Sequence, residues 1–241
     1  MRSSLFRLAR HLKFPTSSMI GSPLHRPLLS SLLEHPIQES FPGDHLQWRS
    51  VGSRRGSQFA TGFNPLESKQ LGSIIDLERA KNCSPEELVS VWDDYHLGRG
   101  HIGASMKAKL YHLLNQRSLT CRHFVIPLWK GSGYTNMFLQ VQMPHMIFTG
   151  LEDYKARGTQ ASPYFAVTYY TEFAESKDIV LIRGDVVFTS KLSDSEAKWL
   201  LDTAHAFYLN DDKYKLVERF NKETHEFEFK DVLRALEMPT L

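Results

Sequence analysis

The amino-acid sequence predicts an α+β fold, with a mostly antiparallel β-sheet, helices packed around it, and a disordered import leader in front. Apolar residues recur at helical spacing at both ends of the folded region, whereas the middle contains short apolar segments separated by tight turns. Strands joined by short turns are normally antiparallel. The first 33 residues differ from the rest because they are basic and contain no acidic residue.

The overall composition is that of a globular protein and excludes several other classes. The 241 residues are 41% hydrophobic and 23% charged. Two cysteines exclude a disulfide-dense secreted scaffold. No run of about 18 apolar residues occurs, so we expect no stable membrane insertion. A net charge of +2 argues against a strongly basic nucleic-acid binder, so no nucleic-acid partner is predicted.

The basic residues are concentrated at the start of the chain. Residues 1–33 carry a charge of +5, which leaves −3 for residues 34–241. Four apolar side chains share one helical face in this leader: Leu5, Leu8, Ala9 and Leu12. A basic amphipathic helix rich in Arg and Ser predicts a mitochondrial targeting segment and a matrix location, with a plastid less favoured. A disordered basic tail is the alternative interpretation.

Composition also predicts the division of the rest of the chain. Residues 34–70 lack periodicity and contain prolines and glycines, so we interpret them as leader remainder and flexible linker. Residues 71–241 are long enough for a single α+β domain with its own core.

The first part of this domain is predicted to be helical. A short helix is expected near 71–77, and Ser84-Pro85-Glu86-Glu87 is a strong start for a longer one. A further helix is predicted from about Ser105 to Arg117. The glycines between the two long helices, Gly98, Gly100 and Gly103, predict a turn.

The middle of the chain is predicted to form strands and the end to return to helix. Apolar and aromatic segments predict strands over 124–129, 138–143, 146–148, 164–170 and 179–188, with a short helix over 151–156. Pro127 makes the first of these strands edge-like. A capping box from Ser193 to Glu196 begins a long helix. Two further elements follow, over 214–220 and 230–237.

No motif predicts an enzyme. Gly98-x-Gly100-x-x-Gly103 matches a dinucleotide-binding string, but a helix rather than a strand precedes it. Cys83, Cys121 and the histidines lack the spacing of metal ligands. We therefore predict no catalytic residue, no cofactor and no metal. The alternative is a small mitochondrial matrix enzyme whose polar pocket lies near Glu172 or near His96 and His101.

Aromatic residues and methionines are the best candidates for contact with a partner. Aromatic residues make up 12% of the chain and crowd the segment 164–173. Aromatics on both faces of a strand need cover on both sides, so some of them are expected to form an exposed patch. The candidate partner-binding residues are Phe138, Met143, Met146, Tyr164, Phe165, Tyr169, Tyr170 and Phe173. A free edge strand in this segment is a further candidate. Core packing is the alternative for each.

An ordered set of short matches resembles a known family. The set spans about 71–238 and includes Glu86-Glu87, Trp92, Tyr95, Phe124-x-x-Pro127-Leu128, Phe148-Thr149-Gly150-Leu151, Arg157-Gly158, Lys177-Asp178-Ile179-Val180-Leu181, Phe207-Tyr208, Tyr214-Lys215-Leu216-Val217 and Phe220-Asn221. It resembles the mitochondrial assembly-factor family that chaperones the β subunit of the F(1) ATP synthase (assembly factor 1).

The resemblance implies a non-catalytic matrix chaperone with a sheet surrounded by helices. Members of that family bind the unassembled β subunit, prevent its aggregation and release it for assembly with the α subunit. We therefore expect a monomer whose partner is the β subunit. A structural subunit of a larger complex is the remaining rival.

Overall fold

The computed structural model describes residues 68–96 and 100–239. The predicted targeting segment at 1–33 and all but the last three residues of the predicted linker lie outside these ranges. Those two interpretations therefore stay predictions.

Six strands form a single antiparallel sheet. They are β1 (His101–Lys107), β2 (His123–Lys130), β3 (Gly133–Gln142), β4 (His145–Gly150), β5 (Phe165–Tyr170) and β6 (Ile179–Val186). Their order in the sheet is β1-β6-β5-β4-β3-β2. Strands β2 to β6 form a meander, and β1 pairs with β6 at the far side. The two edges of the sheet are therefore β1 and β2.

Helices surround this sheet, which confirms the predicted α+β class. They are α1 (Leu77–Asn82), α2 (Pro85–His96), α3 (Ala108–Thr120), α4 (Leu151–Arg157), α5 (Ala174–Lys177), α6 (Asp194–Leu209), α7 (Asp211–Lys222) and α8 (Phe229–Ala235). The predicted capping box is present at the start of α6, where Ser193 and Glu196 bond each other's backbone N–H groups. Within the described ranges, every helix is too short or too polar to cross a bilayer.

Strand β1 is absent from the sequence prediction, and this part of the prediction was wrong. The predicted turn and helix start are in fact an edge strand, and helix α3 begins only at Ala108. The strand contains Gly103, Ala104 and Ser105, and such residues have weak strand preference. Pairing with β6 therefore imposes the strand conformation here, since no local signal predicts it.

The sheet is covered on both faces, and β6 shows the division. Val180 and Ile182 point into the larger core, which contains most of the buried side chains of the sheet and of α6. Ile179 and Leu181 point the other way, into a smaller cluster with Trp92 of α2. We call these two sides the main face and the second face.

A tryptophan fixes α2 to the second face. Trp92 is fully buried, and its indole Nε1 donates a hydrogen bond of 2.9 Å to the carbonyl oxygen of Ile182. The rest of the smaller cluster consists of Leu71, Ala80, Leu88, Tyr170, Phe173, Ile179 and Leu181. The aromatic side chains at the end of β5 are therefore covered by the first helices of the domain.

A glycine in β6 permits the closest approach in the main core. A Cβ atom at Gly184 would lie 2.6 Å from the ring of Phe165, which is fully buried on the adjacent strand. Real Cβ atoms essentially never come this close. The ring of Phe165 therefore occupies space that a side chain at Gly184 would need.

A histidine beside Tyr169 is held neutral. The hydroxyl of Tyr169 lies 2.7 Å from Nε2 of His205 on α6 and 3.2 Å from the sulfur of Met146. Burial, opposed mainly by nearby Asp202, lowers the pKa of His205 to about 4 from the usual 6.5. Burial likewise lowers the pKa of His123 to about 4. Both imidazoles therefore stay uncharged in the folded protein at neutral pH.

We predict that Gly184→Ala lowers the free energy of unfolding by about 1–3 kcal/mol, because the added methyl group overpacks the core against Phe165. Gly133→Ala is the matched control, since a Cβ there meets nothing within 4 Å, and it should change stability by less than about 0.5 kcal/mol. Urea denaturation measures both. Equal stability of the two variants would contradict the close packing described.

We also predict that stability falls as the pH falls from 6.5 to about 4. The unfolded chain takes up protons on His205 and His123 in this window while the folded chain does not, so protonation favours unfolding. His205→Gln should make the free energy of unfolding less dependent on pH. His225→Gln, at a largely exposed histidine, is the control and should leave the slope unchanged. Denaturation curves at several pH values provide the measurement.

Candidate partner-binding site

Most of the predicted partner-binding residues are buried in the core. Six of the eight are 6% exposed or less: Phe138, Met146, Phe165, Tyr169, Tyr170 and Phe173. Met143 and Tyr164 are half-buried. Since helices cover both faces of β5, its aromatic side chains pack inside the protein and form no exposed patch.

The segment 164–173 also offers no free edge. Strand β5 lies between β4 and β6 and pairs with both, so its backbone N–H and C=O groups are used within the sheet. The expectation of an edge strand here is corrected. Partner binding by the eight predicted residues stays a prediction. Because six of them are buried, exposed surfaces elsewhere are also candidates for contact with a partner.

The two half-buried candidates lie at the ends of strands. Met143 lies in the turn between β3 and β4. The hydroxyl of Tyr164 donates a 2.6 Å hydrogen bond to Asp153 of α4. Burial, followed by the Asp153 carboxylate, raises the pKa of Tyr164 to about 12. Tyr164 thus fastens α4 to the sheet.

A few large apolar side chains are exposed, and two of them flank β1 in the sequence. Val91 on α2 is 56% exposed, and Leu110 on α3 is 40% exposed. The others are Leu119 and Trp129, at the end of α3 and in β2. Single exposed apolar side chains are common on protein surfaces, so Val91 and Leu110 are candidates for partner contact only because they lie close to β1 in the sequence. Sequence periodicity cannot single them out, because Val91 and Leu110 both lie within predicted helices.

Edge strand β2 is protected. The side-chain amide of Asn221 on α7 accepts from the N–H of His123 at 3.2 Å and donates to its C=O at 2.7 Å. It thereby pairs with His123 as a neighbouring strand would. Pro127 has no N–H to offer to a further strand. These two features hinder the addition of a further strand at His123 and Pro127.

Edge strand β1 has a different character. Ala108 donates from its N–H to the C=O of Asp178, in register with the β1–β6 pairing. Because hydrogen-bonded pairs alternate along an antiparallel ladder, Ile102, Ala104 and Met106 bond to β6. The backbone groups of the alternate residues, His101, Gly103, Ser105 and Lys107, therefore point outward.

No device protects these outward groups within the described residues. Positions 102–106 hold no proline and no charged side chain. No backbone or side-chain group of the described chain bonds to the outward N–H and C=O groups of Gly103 and Ser105. The ammonium group of Lys107 lies 3.7 Å from the carboxylate of Asp178. Strand β1 thus presents an uncharged, unpaired edge.

A buried ionic cluster anchors the start of β1. Arg183, only 3% exposed, donates to the Asp185 carboxylate at 2.9–3.0 Å and reaches Nε2 of His101 at 3.0 Å. Since arginine only donates, Nε2 of His101 accepts, and its protonated Nδ1 faces Asp185 at 2.8 Å. Burial, followed by the Arg183 charge, lowers the pKa of His101. The neutral imidazole thus joins β1 to β6.

His96 packs over the same place. Its Nδ1 lies 2.7 Å from the C=O of Trp92, so Nδ1 carries the proton. Its Nε2 has no hydrogen-bond partner among the described residues. A Cβ at Gly103 would lie 3.1 Å from the His96 side chain, so the glycine makes room for the imidazole. This steric demand gives Gly103 a role that the sequence does not reveal.

These groups do not form the polar pocket that the enzyme alternative needs. Nε2 of His101 accepts from Arg183, and its Nδ1 lies 2.8 Å from the Asp185 carboxylate, although that contact does not have hydrogen-bond geometry. Glu172 is exposed and absent from the cluster. No three His, Cys, Asp or Glu side chains within 68–96 and 100–239 are arranged to hold a metal ion. The cluster is best understood as a clamp between strands.

We predict that Asp185→Asn lowers the free energy of unfolding by about 3 kcal/mol, because it leaves the buried Arg183 charge without its counter-ion. Asp202→Asn, in an exposed pair with Lys198, is the control and should cost less than about 1 kcal/mol. Thermal and urea unfolding measure the difference. Similar losses for the two variants would contradict the proposed clamp.

The sequence was compared with known families and proteins. The sequence model of the family described as "ATP11 protein" matches residues 42–233. A human protein named "ATP synthase mitochondrial F1 complex assembly factor 1" is 27% identical over 88% of this chain and 65% of its own length. The mouse protein of that name is 29% identical over 73% of this chain and 54% of its own.

A fungal protein is also similar. "Protein atp11, mitochondrial" from Schizosaccharomyces pombe is 24% identical over 77% of this chain and 65% of its own length. The chain thus spans less than two thirds of the length of these relatives. The family match covers most of the chain and includes every strand of the sheet. The chain therefore belongs to the ATP11 protein family.

Proposed function

We propose that this protein is a mitochondrial matrix chaperone that binds the unassembled β subunit of the F(1) ATP synthase, prevents its aggregation and hands it over for assembly with the α subunit. The family match over residues 42–233 is the observation that supports this proposal. The relatives' names state that they are mitochondrial F1 complex assembly factors. The basic leader agrees with a mitochondrial location.

Each predicted segment has a role in this proposal. Residues 1–33 direct the chain to the matrix, and residues 34–70 are the leader remainder and the flexible linker to the folded part. Residues 71–241 act as one chaperone domain. The domain works as a monomer without a cofactor. A protein that binds an aggregation-prone state lowers its free concentration by mass action, so this activity requires no chemical step.

Because the aromatic side chains are packed in the core, the domain offers a client a rigid surface rather than an adaptable aromatic cavity. Side chains such as Phe165 and Tyr169 hold the sheet and helices together. Contacts with the client must therefore be made by exposed parts of the protein. Val91, Leu110 and the edge of β1 are the candidates. A small, partly apolar contact suits a chaperone because the client must later be released to the α subunit.

We predict that the purified full chain keeps the isolated β subunit soluble at 37 °C in a roughly one-to-one ratio. Light scattering measures aggregation, and size-exclusion chromatography measures the complex. Added α subunit should displace the chain from the β subunit, because the α subunit covers the same apolar surface.

The isolated α subunit is the control client, and its aggregation should not change. Failure to bind the β subunit, or equal protection of both subunits, would contradict the proposal. Stoichiometric retention of the chain in purified ATP synthase would instead support a structural subunit.

A further inference from the structure

We infer that the outer edge of β1 is a docking site for an extended, uncharged segment of the client, which adds to the sheet as a seventh strand. This inference rests on the proposed function for the identity of the client. The geometry of the edge is independent of it. Strand addition uses main-chain hydrogen bonds for affinity and alternate side chains for selectivity.

The first argument is the contrast between the two edges. At β2, the amide of Asn221 occupies the groups of His123, and Pro127 removes a donor. At β1, the N–H and C=O groups of Gly103 and Ser105 point outward without a partner in the described chain. Proteins normally protect such edges, so an unprotected one is a ready template for another strand.

The second argument is rigidity at both ends of the strand. The Asp185–Arg183 pair holds the side chain of His101 at the start of β1. At the other end, the N–H of Ala108 is bonded to the backbone and side-chain oxygens of Asp178. A template fixed at both ends loses little conformational freedom when a segment binds, which favours binding.

The chemistry of the edge specifies the occupant. The outward residues between the strand ends are Gly103 and Ser105. The His96 imidazole fills the space over Gly103, whereas the small side chain of Ser105 leaves room on the second face for a large side chain opposite it. On the main face, Ala104 and Met106 pack against the core but are only half-buried. An incoming strand that covers them needs apolar side chains on that face too.

Charge supports the same conclusion. His101 is neutral because burial lowers its pKa, and Lys107 is balanced by Asp178. No unbalanced charge is therefore available along β1 to pair with a charged segment. The occupant is an extended segment rich in β-branched or aromatic residues.

The size of the edge favours a transient client over a second copy of this chain. A seven-residue strand is about 23 Å long. A pair of such strands alone buries far less than the roughly 1,200 Å² of a stable interface. A dimer held only by this edge would be weak, whereas weak binding suits a client that must be released. Val91 and Leu110, exposed on the helices before and after β1, are the candidates for additional apolar contact with the client.

Hydrogen exchange provides the direct test, because the alternation in β1 gives it a specific signature. In the free full chain, the amides of Gly103 and Ser105 should exchange at least about tenfold faster than those of Ala104 and Met106. In the complex with the β subunit, Gly103 and Ser105 should become protected. Residue-resolved NMR after exchange quenching measures each amide.

A proline variant tests the same edge by binding. Ser105→Pro places proline at an outward position, as Pro127 is placed in β2, so β1 should still form. It removes one donor to the incoming strand and should weaken binding of the β subunit about tenfold. Gly133→Ala, at the start of β3 and outside the proposed site, is the control and should leave the affinity unchanged. Thermal unfolding establishes that both variants are folded.

The outcomes separate the inference from the proposed function. If the chain holds the β subunit but Gly103 and Ser105 gain no protection, the edge inference is wrong and the chaperone function stands. If the chain does not hold the β subunit, both fail. Protection already present in the free chain would mean that the chain covers its own edge. Protection that rises with protein concentration would indicate a second copy, and either result overturns the inference.

Discussion

The pairing and two-sided burial of β6 are the constraint on which the rest of the structure depends. Its even-numbered side chains enter the main core, and its odd-numbered ones face α2 and the ionic cluster. The strand is therefore nearly apolar on both faces, which is unusual for an antiparallel sheet. Arg183 and Asp185 are the exceptions, and the buried Arg183 charge is tolerated because Asp185 and His101 satisfy it. The same pairs attach β1, so the buried charge and the edge strand are linked.

This arrangement limits where a partner can bind. Helices α6 and α7 pack against the main core, and α2 covers the second face at β6. Asn221 and Pro127 close one edge of the sheet. Within the described sheet, the outer side of β1 carries neither of these two devices. The proposed docking site thus lies on a strand of small residues, whereas the aromatic core supplies stability.

The sequence predicts the strongly periodic elements well and the context-dependent ones poorly. Ser84-Pro85 and the Ser193–Glu196 box begin helices as expected, and Pro127 correctly indicates an edge. The resemblance to the assembly-factor family is confirmed by the family match. Strand β1 is missed because Gly103-Ala104-Ser105 carries no local strand signal, and only β6 makes it a strand. The exposure of the β5 aromatics is misjudged because it depends on helices that are distant along the chain, α2 before β5 and α6 after it.

An open edge and a rigid core together resolve a conflict inherent in chaperoning. The binding site must be attractive to exposed segments, yet it must not aggregate with copies of itself. Small residues reconcile the two demands, because Gly103 and Ser105 contribute backbone hydrogen bonds but little apolar area of their own. Most of the apolar area must then come from the client, so affinity depends on what the client exposes. A folded or assembled subunit, which exposes no such segment, would not be held. Under the proposed function, release needs no trigger within this protein, since the α subunit would cover the client surface and remove the reason for binding.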